Sequence, residues 1–340
     1  MTINYKTIKG IPIVEVASDP TNPIVGQVWF NSTSYVLKGQ VGTPGTVAWQ
    51  TGGTMNTGKG TPTGFGIQTA AVSAENASTE EYDGSAWTTV PATLNTSPRG
   101  DFDGAGTQTA GLTAGGEGGS NNILNASEEY DGSTFTNSPG TLNTSRNYGS
   151  MAGTQTAGLI FGGTGTNPAQ SYIATSATEK YDGSTWTSGN SMVSAESAGG
   201  GFGTQTAAVH AGGYDAPSSP AYDDATYEYD GTNWTTIPGA GYIQNANTKG
   251  GGAQTSGVIA GGYTGPSYTP GGAGVNTISH QYDGSTWTAT SPINTGRYDM
   301  GCTKNTTSNS DHTIFGGTGG GTATEEWGIG VPSTVTFTDS

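Results

Sequence analysis

The sequence has few charged residues and a single cysteine, and each shortage excludes a class of protein. Charged residues make up 11% of the 340 residues, whereas disordered chains of low hydrophobicity usually carry high charge. Cys302 is the only cysteine, which excludes an internal disulfide and a cysteine-rich zinc site. No apolar run has the length of a signal peptide or a membrane span. We therefore expect a folded chain that is made in a cytoplasm without a signal peptide and does not insert into a membrane.

Basic residues are also scarce, and this shortage limits the possible partners. Ten Lys and Arg face 26 Asp and Glu, so the formal net charge is −16. Such a chain repels nucleic acid, and no nucleic-acid partner is expected. Glycine is abundant, with 59 residues, and each glycine weakens a helix by about 1 kcal/mol relative to alanine. The composition therefore predicts an all-β fold.

A repeat of about 50 residues dominates the sequence. Its clearest element is Tyr-Asp-Gly followed by an aromatic residue, and the tyrosines are 48, 51, 48 and 53 residues apart. The five copies are Tyr82/Trp87, Tyr130/Phe135, Tyr181/Trp186, Tyr229/Trp234 and Tyr282/Trp287. The Asp-Gly pair is typical of a tight hairpin turn, and the aromatic residues supply apolar area between repeats. A period of this length is the signature of a β-propeller.

Two further elements complete each repeat and assign a sixth one. An alternating strand such as GTQTAGLIFGG precedes each Tyr-Asp-Gly, and an Asn-Thr element such as Leu142-Asn143-Thr144 follows the aromatic residue. The sixth copy is degenerate: Ile314 to Trp327 lacks the Asp-Gly turn, and its missing strand is found around Val47 to Trp49. We predict a six-bladed propeller over residues 43–340, whose last blade is closed by this N-terminal strand, after a short arm or hairpin over residues 1–42.

The repeat and the arm each resemble a known group of proteins. Gly-Gly after an apolar strand, then Tyr, then Trp, resembles the kelch repeat over residues 43 to 327. In the arm, Ser18-Asp19-Pro20-Thr21-Asn22-Pro23 and Gly26-Gln27-Val28-Trp29-Phe30-Asn31 resemble the start of virion structural, tail-fibre-like proteins of marine tailed phages. The resemblance implies a virion location, other virion proteins as partners and an oligomeric state within the particle. We expect the arm to dock through its apolar residues Tyr5, Ile11, Ile13 and Trp29.

Basic residues recur after the Asn-Thr element and define a candidate site. They are Lys59, Arg99, Arg146, Lys249 and Arg297, with Glu196 interrupting the set. At equivalent places in a closed propeller they would form a ring facing one opening, where an anionic ligand binds. The alternative is that each one pairs with a neighbouring carboxylate. The candidate partners are Glu80, Glu128, Glu179 and Glu325, which form another repeated column.

Long loops in the third to fifth repeats form a second candidate surface. These loops contain tyrosines among Pro, Ser and Gly residues, and we expect the tyrosine side chains to be exposed. The tyrosines are Tyr172, Tyr214, Tyr222, Tyr263 and Tyr268. Insertions in a repeat protein usually map to one face and often bind partners. A host cell-surface glycan is the ligand class that we expect for such a surface, although packing onto a neighbouring subunit would need the same residues.

The sequence offers no catalytic or metal-binding set. Adjacent glutamates such as Glu80/Glu81 point to opposite faces of a strand and recur in several repeats, whereas a catalytic dyad is unique. The three histidines lie at different places in the repeat, so they are not expected to converge on a metal. We therefore expect no cofactor and no enzymatic activity. Two functions remain: a capsid-decoration or tail component that docks through its arm, and an adhesin that binds host glycan through its loops.

Overall fold

The computed structural model of the chain is all-β and divides into two compact units. It describes residues 7–8, 11–20, 27–41, 47–97, 99–120, 122–166, 172–215, 222–264, 274–304, 311–329 and 333–337. These ranges contain no helix, so none in them is long and apolar enough to cross a membrane. The smaller unit is Met1–Ala48 with Ile329–Ser340, and the larger unit is Trp49–Gly328.

The smaller unit contains a four-stranded sheet in the order β3-β4-β5-β36 and a hairpin of β1 and β2. Its strands are β1 (Thr7–Ile8), β2 (Ile11–Pro12), β3 (Val14–Val16), β4 (Val28–Asn31), β5 (Val36–Val41) and β36 (Ser333–Phe337). Trp29 is 1% exposed, and its indole Nε1 donates to Asp19 Oδ1 at 3.1 Å. Asp19 also accepts hydrogen bonds from Asn31 and Lys38, so one carboxylate joins β4 to β5.

This unit differs from the predicted arm in its extent. The arm predicted from the sequence ends at residue 42, and the prediction places all later residues in the propeller. In the structure, β36 at the C-terminal end pairs antiparallel with β5, from Ser333 opposite Val41 to Phe337 opposite Leu37. The physical reason is the edge of β5, which would otherwise present unpaired backbone groups.

The larger unit is built from six four-stranded antiparallel sheets, counted over the described residues. We number the sheets in chain order of their first strands. Sheet 1 is β7 (Thr63–Ile67), β8 (Ala70–Glu75), β9 (Ser78–Tyr82) and β10 (Trp87–Val90). Sheet 2 is β11 (Asp103–Thr107), β12 (Ala110–Ala114), β15 (Ser127–Tyr130) and β16 (Phe135–Asn137). Sheet 3 is β17 (Ser150–Thr154), β18 (Ala157–Phe161), β21 (Thr178–Tyr181) and β22 (Trp186–Ser188).

The other three sheets follow the same plan, with a change in the last one. Sheet 4 is β23 (Gly200–Thr204), β24 (Ala207–Tyr214), β25 (Tyr222–Tyr229) and β26 (Trp234–Thr236). Sheet 5 is β28 (Lys249–Ala253), β29 (Ser256–Ala260), β31 (Ser279–Tyr282) and β32 (Trp287–Ala289). Sheet 6 is β33 (Gly301–Cys302), β34 (His312–Phe315), β35 (Thr324–Ile329) and β6 (Val47–Thr51), so its fourth strand comes from the N-terminal part of the chain.

Short two-stranded ladders involve the loops between second and third strands: two form within such a loop, and the third pairs such a loop with the segment before a first strand. They are β13 (Glu117–Gly118) with β14 (Asn122–Ile123), β19 (Thr164–Thr166) with β20 (Tyr172–Ala174), and β27 (Asn245–Ala246) with β30 (Tyr263–Thr264). The long loops therefore lie at the same end of the sheets as the segments that lead into the first strands.

Glycines let the sheets pack closely although apolar residues are few. Phe65 of sheet 1 lies against Gly111 of sheet 2, where an added Cβ would stand 2.3 Å from the ring. Phe202 of sheet 4 lies in the same way against Gly257 of sheet 5, at 2.2 Å. Only glycine leaves room for these rings. The many glycines, which disfavour helices, thus also allow neighbouring sheets to pack closely.

Each Tyr-Asp-Gly segment forms the turn between the third and fourth strands, as predicted. In sheet 1, Tyr82 pairs with Trp87 across the turn, and their rings stack with centroids 4.9 Å apart. The Asp83 carboxylate accepts the backbone N–H of Ser85 at 2.8 Å, and Gly84 takes a φ of 91°. The same bond to the carboxylate is made at Asp131, Asp182, Asp230 and Asp283.

Repeated side-chain hydrogen bonds hold neighbouring sheets together. The glutamine after the first strand of sheets 1 to 5 donates to two carbonyl oxygens of the neighbouring sheet; Gln155 of sheet 3 does so to sheet 2 at 3.1 and 2.9 Å. Gln68 of sheet 1 donates to the carbonyl oxygens of His312 and Trp327 in sheet 6, each at 3.3 Å. We call this contact the glutamine clasp. It joins sheet 1 to sheet 6 in the same way as it joins sheet 3 to sheet 2.

Indole groups make a second contact of this kind. Trp186 Nε1 of sheet 3 donates to Ser127 Oγ of sheet 2 at 3.1 Å, and Trp87 of sheet 1 donates to Thr324 Oγ1 of sheet 6 at 2.8 Å. The first strands also lie side by side in chain order, from β7 to β33, and β33 in turn contacts β7.

Candidate functional site

Four of the five basic residues singled out from the sequence are buried in ion pairs. Each precedes the first strand of its sheet and pairs with a glutamate on the third strand. The pairs are Lys59–Glu80 at 2.7 Å, Arg99–Glu128 at 3.0 Å, Arg146–Glu179 at 2.5 Å and Arg297–Glu325 at 2.7 Å. Every one of these eight side chains is 2% exposed or less. We call the position of the basic residue the cation slot.

The paired glutamates also explain the Asn-Thr element. Glu179 accepts the backbone N–H groups of Asn143 at 2.7 Å and Thr144 at 3.1 Å. Arg146 in addition donates to carbonyl oxygens at both ends of the loop between the second and third strands, at Gly162 and Ala177. The ion pair therefore joins the segment between sheets 2 and 3 to the loop between the second and third strands of sheet 3. Its role in this geometry is structural.

The predicted ring of five cations facing one opening is wrong for two reasons. The four slot cations are buried against glutamates, because an unpaired charge in the interior costs several kcal/mol. Lys249 does not occupy the slot: it begins β28, and Asn245 stands at the slot position of sheet 5. Lys249 is the basic residue nearest to the slot position in the sequence, but it is not the structural equivalent of the slot cations.

The second glutamate of each adjacent pair has another partner. Tyr130 Oη of sheet 2 donates to Glu81 of sheet 1 at 2.8 Å, and Tyr82 Oη of sheet 1 donates to Glu326 of sheet 6 at 2.6 Å. Because Glu80 binds Lys59 and Glu81 binds the next sheet, the two neighbouring carboxylates act in different contacts. They do not form a catalytic dyad.

A lysine and an aspartate meet where the first strands come together. Lys304 Nζ donates to Asp103 Oδ2 at 2.9 Å and to the carbonyl oxygens of Gly201 at 2.9 Å and Gly250 at 3.3 Å. Its backbone N–H donates to Gly66 at 3.0 Å. These contacts join the segment after β33 to sheets 1, 2, 4 and 5. We call Lys304, Asp103 and the groups that they bind the inner network.

Asp103 extends the inner network to the remaining sheet. It accepts the N–H of Met151 from sheet 3 at 2.9 Å and lies 3.4 Å from Lys249 Nζ. Burial alone would raise the pKa of Asp103, but the charges of Lys249 and Lys304 lower it below its usual range. One buried carboxylate between two ammonium groups thus holds the centre of the larger unit.

A recess opens beside the inner network, at the end of the sheets that carries the long loops. It is lined by Thr61, Pro62, Asp101, Phe102, Tyr148, Gly149, Ala198, Gly199, Asn247, Thr248, Lys249 and Asp299. Its volume is about 20 Å³, which is room for a water molecule and not for an organic ligand. A larger ligand would contact only the residues around its mouth.

The mouth of the recess is formed by residues in a left-handed backbone conformation. Asp101, Tyr148, Ala198, Asn247 and Asp299 stand two residues after the cation slot, with φ between 51° and 57°. The N–H groups of the last four donate to the carbonyl oxygen of the equivalent residue in the preceding sheet, at 2.7 to 3.1 Å. Non-glycine residues avoid this conformation. The inter-sheet hydrogen bonds compensate for it here.

The two aspartates of the mouth have raised pKa values. Burial is the main cause for both: it raises the pKa of Asp101 to about 6 and that of Asp299 to about 7. A hydrogen bond from Tyr148 opposes the shift at Asp101, and one from Asn247 opposes it at Asp299, where Nδ2 donates to Oδ1 at 2.7 Å. The mouth therefore gains negative charge as the pH rises through neutrality, and it offers hydroxyl, amide and carboxyl groups to a polar ligand.

The loop tyrosines are less exposed than their sequence context predicts. Tyr214 and Tyr222 pack on each other with centroids 4.7 Å apart, and Tyr222 is 5% exposed. Tyr263 is completely buried against a neighbouring tyrosine ring. Tyr172 begins β20, and Tyr268 lies outside the described residues. The prediction of an exposed surface is wrong for Tyr222 and Tyr263, because Tyr222 lies in β25 and Tyr263 in β30, and both rings pack in one apolar cluster with Ala246.

The apolar residues assigned to docking fall into three groups. Trp29 belongs to the core of the smaller unit, so it is not an exposed anchor. Ile13 is half-buried, and Ile11 lies in β2. Tyr5 lies outside the described residues. The neighbouring Val14 is 58% exposed and was not singled out from the sequence.

No metal site is assembled in the part of the chain that the structure describes. Groups of three or more His, Cys, Asp or Glu side chains that could hold a metal ion are absent from those ranges. His210, His280 and His312 lie in sheets 4, 5 and 6 and do not come together. Burial lowers the pKa of His210 to about 4, so its imidazole is neutral at physiological pH.

Sequence reasoning missed the inner network and the mouth of the recess. Asp103 and Lys304 each occur once, and a search for repeated positions passes over them. Their signal is a departure from the repeat: Lys304 stands where the other five sheets have a glycine of positive φ. Those glycines are Gly66, Gly106, Gly153, Gly203 and Gly252.

Comparison with known proteins supports the fold alone. No protein-family model matches the sequence, and no curated protein matches it. The solved structure of YjhT is similar in fold, with a TM-score of 0.66 and 15% sequence identity, over 84% of this chain and 99% of that chain. The larger unit therefore has a β-propeller-like fold. At this level of identity, the likeness carries no information on ligand or activity.

Proposed function

We propose that this chain is a non-enzymatic structural protein of a phage particle. Its larger unit is a closed, six-bladed, kelch-like propeller, and its smaller unit docks on another virion protein within an oligomeric assembly. Blade closure is supported by the contacts between sheets 1 and 6. Gln68, Trp87 and Tyr82 bind sheet 6 in the way that their equivalents bind the preceding sheet elsewhere.

The inner network is the observation that carries the non-enzymatic part of the proposal. A propeller that acts on a substrate needs space at its centre or in a cleft beside it. Here Lys304 and Asp103 fill the centre with an ion pair that binds backbone groups of the surrounding sheets. The two recurring columns of glutamates are likewise used in contacts within and between sheets.

Docking through the smaller unit is supported by its sequence and its surface. The segment from Ser18 to Asn31 carries the resemblance to virion proteins. In the structure, Val28–Asn31 of this segment form β4, in a sheet that also contains β36 from the C-terminal part of the chain. Val14 exposes an apolar side chain on the edge strand β3 of that sheet, next to Ile13.

The test is to add the purified full chain, and a 47–329 fragment, to phage particles that lack this protein. Circular dichroism and thermal unfolding establish first that the fragment folds. We expect the full chain to bind the particles and the fragment not to bind. Failure of the full chain to bind particles would overturn the virion proposal. Binding by the fragment alone would overturn docking through the smaller unit.

A second candidate function is adhesion to a host-surface glycan at the mouth of the recess. It is favoured by the polar side chains of Asp101, Tyr148, Asn247 and Asp299, which lie beside the long loops. A glycan array probed with the full chain tests it, with Asp299→Asn as the variant. Binding that is lost in this variant would establish the adhesin, and an array without signal would reject it.

A further inference from the structure

The cation slot of sheet 4 holds an acid in place of a base. Glu196 takes the backbone position that Arg146 takes in sheet 3: Gly163 N–H donates to its carbonyl oxygen at 2.7 Å, as Gly116 N–H does to that of Arg146. Glu196 is 0% exposed, and neither of its carboxylate oxygens is paired with a basic side chain or a backbone N–H group. Sheet 4 therefore keeps the backbone hydrogen bond of the repeat, but its slot residue is an acid and not a base.

The groups around Glu196 do not neutralise it. Tyr227 replaces the glutamate of the third strand, and its hydroxyl donates to Asp223 Oδ2 at 3.4 Å. Asp223 lies beside the Glu196 carboxyl, and Asp215 adds a further negative charge, while Ser194 offers a hydroxyl. Burial and the contact with Asp223 raise the pKa of Glu196 to about 9. At neutral pH the Glu196 carboxyl group is therefore protonated.

Sheet 5 shows that a slot without a cation does not require an acid. There Asn245 Nδ2 donates to the Gly261 carbonyl oxygen at 2.8 Å, which is the kind of contact that Arg146 makes with Gly162. His280 stands in place of the glutamate, and burial lowers its pKa. Sheet 5 thus replaces the ion pair by neutral groups. Sheet 4 keeps a negative site and lacks the positive partner.

We infer that Glu196 and Asp223 form a binding site for a guanidinium group supplied by another molecule, in the place that an arginine of the chain itself fills in sheets 2, 3 and 6. Guanidinium suits this site because it donates in a planar fork to carboxylates and carbonyl oxygens. Asp223 is half-buried and the next residue, Asp224, is exposed, so Asp223 is the member of the pair that solvent reaches. The inference does not depend on whether the chain belongs to a particle.

Binding is coupled to release of a proton. Before binding, the carboxyl group of Glu196 carries a proton. The guanidinium ion keeps its own protons, and Glu196 becomes a carboxylate that accepts its N–H bonds beside Asp223. The proton of Glu196 leaves to solvent. The stoichiometry follows from linkage, because a bound cation lowers the pKa of the acid beside it.

The probe is the guanidinium ion itself, at low millimolar concentration, where it does not denature proteins. The unfolding temperature of the full chain is measured against guanidinium chloride, with sodium chloride and tetramethylammonium chloride at the same ionic strength. We expect guanidinium alone to raise the unfolding temperature, in proportion to the logarithm of its concentration above saturation. In a weakly buffered solution near neutral pH, its addition should release protons.

Two variants assign the effect to the site. Glu196→Gln is isosteric and should abolish both responses, whereas Asp224→Asn removes an exposed charge next to Asp223 and should keep them. A double variant, Glu196→Arg with Tyr227→Glu, builds the internal pair of sheet 3 and should be insensitive to guanidinium. The inference is overturned if sodium stabilises the chain as much as guanidinium does, or if Glu196→Gln responds like the unaltered chain.

Discussion

Sheets 3 and 4 have the same strand plan but contain opposite charges at one buried position. In sheet 3, Arg146 and Glu179 form a buried ion pair, and the guanidinium group also binds two backbone carbonyl oxygens. In sheet 4, Glu196 and Tyr227 occupy those positions. The backbone hydrogen bonds around the slot are nevertheless the same, with N–H to O distances of 2.7 Å in both sheets.

The comparison of sheets 3 and 4 shows which part of the repeat determines the fold. Backbone pairing, the Asp-Gly turn and the glutamine clasp occur in both sheets, and they are sufficient to place the slot. The charge in the slot is not needed for that placement. It determines what the site can bind and how its stability depends on pH. Departures from a repeat are therefore the positions at which a specific role is to be sought.

The largest expected effect comes from removing the cation of sheet 3. Arg146→Met leaves Glu179 buried without its partner, and we expect the free energy of unfolding to fall by about 3–5 kcal/mol. Denaturant unfolding of the purified chain measures it. Adding Glu179→Gln should restore part of the loss, because the remaining amide is neutral and still accepts backbone N–H bonds. A loss below about 1 kcal/mol would mean that the ion pair contributes no more than an exposed one.

The next effect concerns the acid of sheet 4. The pKa of Glu196 is about 9 in the folded chain, against an ordinary value of 4.5. Its contribution to stability is complete below the lower value and is lost as the pH rises towards the higher one. Glu196→Gln should therefore gain stability over the unaltered chain by up to about 1.4 kcal/mol per pH unit across this window. Unfolding curves from mildly acidic to mildly alkaline pH test it, and parallel profiles would contradict it.

The third effect is a difference between sheets 3 and 4 in how acid changes stability. His210 stands in sheet 4 where sheet 3 has Ile160. Burial depresses its pKa to about 4 from 6.5, so its contribution is lost as the pH falls through that range. His210→Ile should reduce the acid sensitivity by about 1–3 kcal/mol relative to the unaltered chain. The stability difference between the two proteins, followed from neutral pH to about pH 4, gives the answer. A constant difference would reject the assignment.

The smallest effect should be equal in both sheets. Gln155→Ala and Gln205→Ala each remove two hydrogen bonds to carbonyl oxygens of the preceding sheet. We expect each substitution to cost about 1–2 kcal/mol. Equal losses in denaturant unfolding would confirm that the clasp is independent of the slot. A much larger loss at Gln205 would indicate that the unpaired acid weakens sheet 4.

Much of the fold could be predicted because its signals are local and repeated. The Tyr-Asp-Gly turn follows from residues next to each other, and five copies reveal the period. The strand around Val47 to Trp49 was assigned to the degenerate sixth repeat because each other repeat has a strand at that place, and the structure has β6 in sheet 6. The pairing of β36 with β5 has no such template, and it was missed.

The sites were harder to predict, because their residues are far apart in the sequence or stand at irregular spacing. Lys304 and Asp103 are separated by 201 positions and meet only through the arrangement of the first strands. Lys249 was aligned with the slot by its nearness to the Asn-Thr element, whereas pairing with Ala260 places it on β28. Burial of Tyr222 and Tyr263 depends on strand pairing next to the long loops, which the amino-acid composition of the loops does not predict.

The inner network also bears on how the larger unit comes apart. A linear array of repeats can lose an end unit while the others stay folded, because each repeat touches only its neighbours. Here a single ammonium group binds acceptors in sheets that are not neighbours along the chain. Detaching one sheet therefore exposes a buried charge shared with the others, so the sheets lose their independence. The repeats are separate copies in the sequence, yet we expect them to unfold as one cooperative body.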